Sequence, residues 1–208
     1  MPASRWHCVL LVSFLAILIW SGVNPMDQFI WYLEVFPAMI GAVVLIVIYH
    51  RVKLTMLLYC LIWLHAVVLM VGGHWTYAEM PLFSLLRDEY GLARNYYDRV
   101  GHVFQGLVPA IIAREILIRE QVINGRRWMF FLICCVGLAI SVFYEFIEWW
   151  VAEWSGTAAD AFLATQGDVW DTQWDMFLAL CGAIASQLLF GRWHDRQLAS
   201  MHQRRSLQ

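Results

Sequence analysis

Charge is scarce in this chain. Of its 208 residues only 14% are Asp, Glu, Lys or Arg, while 61% are apolar, and mean hydropathy is +0.60. Soluble domains carry about 25% charged residues. So few charges cannot coat a 24.2 kDa globule in polar surface, so lipid must cover much of the exterior. Other absences narrow the class further. The cysteines Cys8, Cys60, Cys134, Cys135 and Cys181 form no CxxC pair and no Cys/His zinc spacing. Each sits in an apolar run and reads as an inert buried thiol. No long alternation of polar and apolar residues appears, which argues against a transmembrane barrel. There is no internal repeat and no low-complexity segment. A net charge of −2 gives no support for a nucleic-acid partner. No A-x-A-like cleavage site follows the N-terminal apolar run; Asn24-Pro25 reads as a turn instead. That run is therefore expected to stay as a first helix rather than be removed as a signal peptide.

What the chain has is long apolar runs. A membrane-spanning helix needs about 20 mostly apolar residues, and six segments qualify: roughly 6–23, 32–50, 54–73, 97–118, 128–152 and 171–191. Unsatisfied backbone is too costly in lipid for any of these to be irregular. The expected fold is an all-α polytopic bundle of six transmembrane helices. Residues 1–191 make a single domain, and 192–208 a polar, basic tail. Pro109 falls inside the fourth span. Long links, 74–96 and 153–170, precede the fourth and sixth spans. The twelve Trp and eight Tyr suit the two membrane interfaces.

The distribution of charge orients the bundle. With the N-terminus in the cytoplasm, Arg5, Arg51, Lys53, Arg114, Arg119, Arg126, Arg127, Arg192, Arg196, Arg204 and Arg205 fall inside, 11 of the 14 cations. Only Arg87, Arg94 and Arg99 fall outside. The positive-inside rule then places both termini in the cytoplasm of a bacterial-type inner membrane. Acids do the reverse: all but Glu115, Glu120 and Asp195 of the 16 lie outside or near the outer helix ends.

Three of those helix ends carry paired ionisable groups. The fourth span brings Asp98 and His102, four residues apart and so on one face. The fifth brings Glu145 and Glu148, the sixth Asp171 and Asp175. A charge within a span costs about 2.5–3.5 kcal/mol on insertion scales, so these groups should face one another or a wet cavity. Clustered carboxylates cannot all stay ionised in low dielectric without a cation. A divalent metal, a bound proton or Arg99 meets that need, and His102 and His74 offer nitrogen ligands. Plainer roles compete. Asp168 and Asp171 suit the cap of the last helix, and Asp98 the start of the fourth. Glu145 and Asp175 suit hydrogen bonding between helices as protonated acids. Glu79, Asp88, Glu89, Glu153 and Asp160 read as solvated loop charges. Glu34, near the outer end of the second span, could join the cluster or stay at the interface, and the interface is the favoured reading. Trp149, Trp150, Trp154, Trp170 and Trp174 read as an interfacial belt.

The segments Tyr97-Asp98-Arg99-Val100-Gly101-His102, Tyr144-Glu145-Phe146-Ile147-Glu148-Trp149 and Asp168-Val169-Trp170-Asp171-Thr172-Gln173-Trp174-Asp175-Met176 resemble the YjdF family, over essentially the whole chain. The resemblance implies a multi-pass protein of the bacterial inner membrane and implies no activity. A weaker likeness, over about the last half, is to VanZ-like membrane proteins linked to glycopeptide resistance. Asp98 with His102 matches their Asp-Lys-x-x-His-like helix start, with Arg99 in place of Lys. Glu145 stands for a later Glu. Asp175 and Gly182 match a final-helix pattern in part, because Ala179 replaces Asn.

Three functions are compatible with these residues. The first is a metal-dependent membrane hydrolase or transferase acting on a lipid-linked or envelope molecule. Its metal ligands would come from His102, Glu145, Asp175 and Asp98, and its general base from Glu148 or Asp171. The second is a proton- or cation-coupled transporter or flippase using the same acids. The third is a non-catalytic envelope or resistance factor, with the acids as structural glue.

Overall fold

A computed structural model describes residues 5–155 and 165–206, with side chains to 203. Asp160 and the side chains of Arg204 and Arg205, placed above from sequence, lie outside the described residues. The described chain is all helical: α1 Arg5–Gly22, α2 Gln28–Ile48, α3 Met56–His74, α4 Pro81–Tyr90, α5 Tyr97–Arg119, α6 Arg126–Ser155 and α7 Asp171–Ser206. All but the short α4 are long and apolar enough to cross a membrane, giving six candidate spans. Their outer surfaces show why. Val12, Val43, Val47, Phe131, Phe143, Leu188 and Leu189 are all exposed, an arrangement that water would penalise and lipid does not.

Local chemistry sets the helix starts. Asp27 caps α2 by accepting from the Phe29 and Ile30 amides at 2.8 and 3.0 Å, and Thr55 caps α3 through Leu58 N. In α4, Pro81 occupies the first turn, where it loses no hydrogen bond, and Gly91 closes the helix at φ 60°. α7 continues past residue 191 without a break, so the polar tail extends the last span as helix to Ser206. The five cysteines are free, but not uniformly buried. Cys134 is buried, whereas Cys8, Cys60 and Cys135 are exposed on the bundle exterior.

Packing divides the bundle into α1–α2–α3 and α5–α6–α7, joined through α3 and α5. The tightest seam is between α5 and α7. A Cβ on Gly106 would collide with the Ala179 carbonyl, and one on Gly182 with the Val103 carbonyl. Ala179 and Ala183 are fully buried beside them. Without a hydrophobic driving force between helices in lipid, this backbone-to-backbone approach is what dispersion needs. Gly137 of α6 joins the seam, where a Cβ would sit 2.8 Å from Ala183 Cβ.

At the basic end, fully buried Glu115 of α5 gathers three elements. It accepts from Thr55 Oγ1 at 2.8 Å and from Arg119 Nη2 at 2.6 Å, and its Oε2 lies 3.0 Å from His194 Nε2. Arg119 also donates to the Lys53 carbonyl at 2.6 Å. A charge that deep needs such partners on all sides. The network fixes the relative height of α3, α5 and α7, and so positions the acidic end of the bundle as well.

Candidate functional site

At the acidic end the three predicted pairs meet. His102 stands at the centre, one turn into α5. Its Nε2 lies 3.4 Å from Asp98 Oδ1 and 3.8 Å from Asp175 Oδ1 of α7, and its Nδ1 lies 3.8 Å from Glu145 Oε1 of α6. Asp98, His102 and Asp175 each offer a ligand atom within 4.8 Å of the other two, and all three are buried. Gln105, three residues on in the same helix, holds its Oε1 3.0 Å from His102 Nδ1. Gln105 Oε1 can accept the Nδ1 proton, and Nε2 then faces Asp98 and Asp175. Among the described residues, buried Glu145 Oε1 and Asp175 Oδ1 have no hydrogen-bond partner.

The electrostatics sort into two layers. Toward the surface, charges balance. Buried Arg94 pairs with Asp171, lies 3.4 Å from Asp98 Oδ2 and 3.8 Å from Asp168 Oδ2. Arg99 reaches Asp168 at 2.7 Å and Asp171 at 3.3 Å, and lies over the Trp174 ring at 5.2 Å. Asp168, in the loop before α7, accepts from the Trp170 amide at 3.0 Å. That bond, with Arg99 adding to it, holds its carboxyl below the ordinary aspartate range. Beneath this layer Glu34, Asp98, Glu145, Glu148 and Asp175 are all buried, with His102 as the base among them. Five carboxylates around one imidazole leave an excess of negative charge that protons or a cation must offset.

All six predicted site residues, Asp98, His102, Glu145, Glu148, Asp171 and Asp175, are thus buried at this end. Asp171 stands apart in being held by two guanidinium groups. Two residues differ from the sequence reading. Glu34 is buried in the cluster rather than interfacial, facing Asp98 and His102 with Tyr77 and Tyr144 beside it. α2 can approach because Gly73 has no side chain: a Cβ there would sit 2.9 Å from Val35 Cγ2 and 3.2 Å from Glu34 Cβ. His74 points elsewhere. Its Nδ1 meets the Ser21 carbonyl at 2.9 Å and its ring stacks on Trp20 at 4.8 Å. Arg94 carried no sequence signal beyond its place in a polar link.

The link between α4 and α5 is clamped over this layer. Asn95 donates to the Met80 carbonyl and Ser84 Oγ, both at 3.0 Å. Its backbone exchanges two hydrogen bonds with the Gln166 side chain, at 2.9 and 3.0 Å. Trp149, Trp150, Trp154, Trp170 and Trp174, at the end of α6 and around the start of α7, are all exposed, as amphipathic rings at a headgroup boundary should be.

The arrangement suits a divalent cation. Ligand atoms of one tetrahedral transition-metal ion stand about 3.4 Å apart. The His102–Asp98 pair has that spacing at 3.4 Å, the His102–Asp175 pair is at 3.8 Å, and the whole triad, within 4.8 Å, would have to draw in around an ion. Carboxylates with one imidazole admit Mn, Zn or Fe, and a histidine whose second nitrogen is anchored by a neighbour is the usual form of such a ligand.

Comparison with known proteins agrees with the fold. The chain is 52% identical over 182 residues to the inner membrane protein YjdF of Escherichia coli strain K12, covering 88% of this chain and 87% of that one. No solved structure matches. Residues 6–196 match a family model described as predicted membrane protein (DUF2238), and the chain, a multi-pass helical membrane protein, belongs to that family.

Proposed function

We propose that this chain is a metal-dependent hydrolase or transferase of the inner membrane, acting at the outer face on a lipid-linked or envelope molecule. The observation that carries the reading is the buried triad Asp98, His102 and Asp175, with ligand atoms within 4.8 Å of one another and two unpartnered carboxylate oxygens, on Glu145 and Asp175, beside it. The inner-membrane location is supported by six spans and by the similarity to an inner membrane protein of Escherichia coli. The excess of Lys and Arg at the opposite end supports a cytoplasmic position for both termini.

In this reading Asp98, His102 and Asp175 hold the ion and Glu145 completes its shell. A divalent ion there would polarise a phosphoryl or carbonyl oxygen and acidify a bound water. Glu148, buried on the same face of α6 as Glu145, accepts the proton released. Asp171 is less suited to that task, since Arg94 and Arg99 both hold its carboxylate. It ties the two arginines down over the acidic cluster.

A second reading rests on a specific observation, the five buried carboxylates, more than one ion needs. Those acids would relay protons in a cation-coupled carrier. Glu148→Gln separates the two. If the chain is a hydrolase or transferase, this variant in nanodiscs keeps its metal and loses turnover of envelope-lipid phosphoesters or amides. If it is a carrier, proteoliposomes show pH-driven flux that Glu145→Gln and Asp175→Asn abolish. Absence of metal from the purified protein rejects the first reading.

A further inference from the structure

A cavity lies at the opposite, basic end of the bundle. It is about 410 Å³ and opens between α5, α6 and α7. Arg114, Arg126 and Arg192 line it, with Asp195 as its one acid. Asp195 is already spent: its Oδ1 accepts from Arg114 Nη2 at 2.7 Å, while Arg114 Nη1 lies 2.7 Å from His194 Nδ1. Arg126 and Arg192 have exposed side chains, and among the described residues neither forms an ion pair. Two guanidinium groups therefore face one cavity without a counter-charge. Like charges gathered in this way repel, and an anion removes the penalty.

The rest of the wall gives the anion's character. Ile118, Met129 and Phe130 continue the cavity with apolar surface. Phe130 and its neighbours Trp128 and Phe131 in α6 are exposed on the bundle exterior. A free phosphate would satisfy the arginines and leave that wall bare. An amphiphile with a phosphate head and an acyl chain satisfies both. Basic cavities between membrane helices take acidic lipid headgroups for this reason.

We propose that the cavity between α5, α6 and α7 binds the phosphate of an anionic phospholipid from the leaflet at the basic end, with Arg126 and Arg192 as its ligands and Met129 and Phe130 against its acyl chain. This site is separate from the acidic cluster and stands whether or not that cluster binds metal.

The test uses the full chain in nanodiscs, with exchange of fluorescent phosphatidylglycerol against phosphatidylcholine. One basic side chain near an anionic surface is worth roughly a fivefold preference. Arg126→Gln with Arg192→Gln should therefore lower the phosphatidylglycerol preference roughly twenty- to thirtyfold. Both side chains are exposed and free of ion pairs, so melting temperature should be unchanged. Arg127→Gln, exposed on the next position of α6 but outside the cavity, should cost no more than the roughly fivefold of one basic side chain near the surface, well short of the double variant, and inorganic phosphate should not displace the lipid. An equal loss with Arg127→Gln would reduce the effect to surface charge and overturn the proposal. So would equal retention of the two lipids, or displacement by inorganic phosphate alone.

Discussion

His102 of α5 holds Nε2 3.8 Å from Asp175 Oδ1 of α7, across the seam at which the two helices touch backbone to backbone. Neither residue can be placed by its own helix. Their meeting depends on Gly106, one turn deeper in α5, and Gly182, two turns deeper in α7, which let the axes close.

Gly106→Val should therefore separate α5 from α7. The added branches meet the Ala179 carbonyl, a contact that no rotamer relieves. The expected cost is about 3 kcal/mol, the upper end for overpacking, seen as a lower melting temperature in detergent. Metal affinity at the acidic end should fall in parallel. A variant with parental stability and affinity would show that the seam is looser than described.

Gln105 acts through His102. Its Oε1 fixes the Nδ1 side of the ring at 3.0 Å, and outer partners of this kind are worth about 10- to 100-fold in metal affinity. Gln105→Ala should weaken binding by that factor in a competition titration while leaving stoichiometry unchanged. Gln105→Glu, which keeps an acceptor, should restore most of the loss.

Glu115 is the anchor of the other end. Glu115→Ala leaves buried His194 and the Thr55 hydroxyl without their acceptor and Arg119 without its carboxylate. Breaking a buried ion pair from one side costs about 3–5 kcal/mol, which thermal unfolding in detergent would register. A cost under about 1 kcal/mol would mean that the network is ornamental.

Asp168 makes the mouth of the acidic site sensitive to pH. The Trp170 amide and Arg99 depress its carboxyl in the folded chain. Its contribution is therefore complete above the ordinary aspartate range and is lost as pH falls through the depressed folded value. Asp168→Asn should melt below the parent at neutral pH, with the gap closing as the pH drops below that range. A gap that widens on acidification would contradict the assigned partners.

The spans were readable because lipid demands about 20 apolar residues per crossing, a signal strong enough to survive the polar groups in α5. α4 was harder. Its ten residues are too few for a crossing and sit in a polar link, although Pro81 at its first position and Gly91 after it were the marks of a helix start and stop. The clustering of Asp98, His102, Glu145 and Asp175 could be argued from the cost of burying charge, since each lies inside a span. Arg94 could not, because an arginine in a loop looks solvated until Asn95 and Gln166 are seen to fold that loop over it. Glu34 was misjudged for the opposite reason. Its depth suggested an interface, and only the Gly73 notch in α3 reveals that α2 turns it inward.

The central claim is that buried carboxylates and one imidazole hold a divalent ion at the acidic end. The most direct measurement is metal stoichiometry by inductively coupled plasma mass spectrometry on the full chain, purified without chelator, beside His102→Ala and Asp175→Asn. The account predicts about one equivalent of a transition metal per chain, lost in both variants while the helical circular dichroism signal persists. A parental protein without stoichiometric metal, or variants that retain it, would contradict the account.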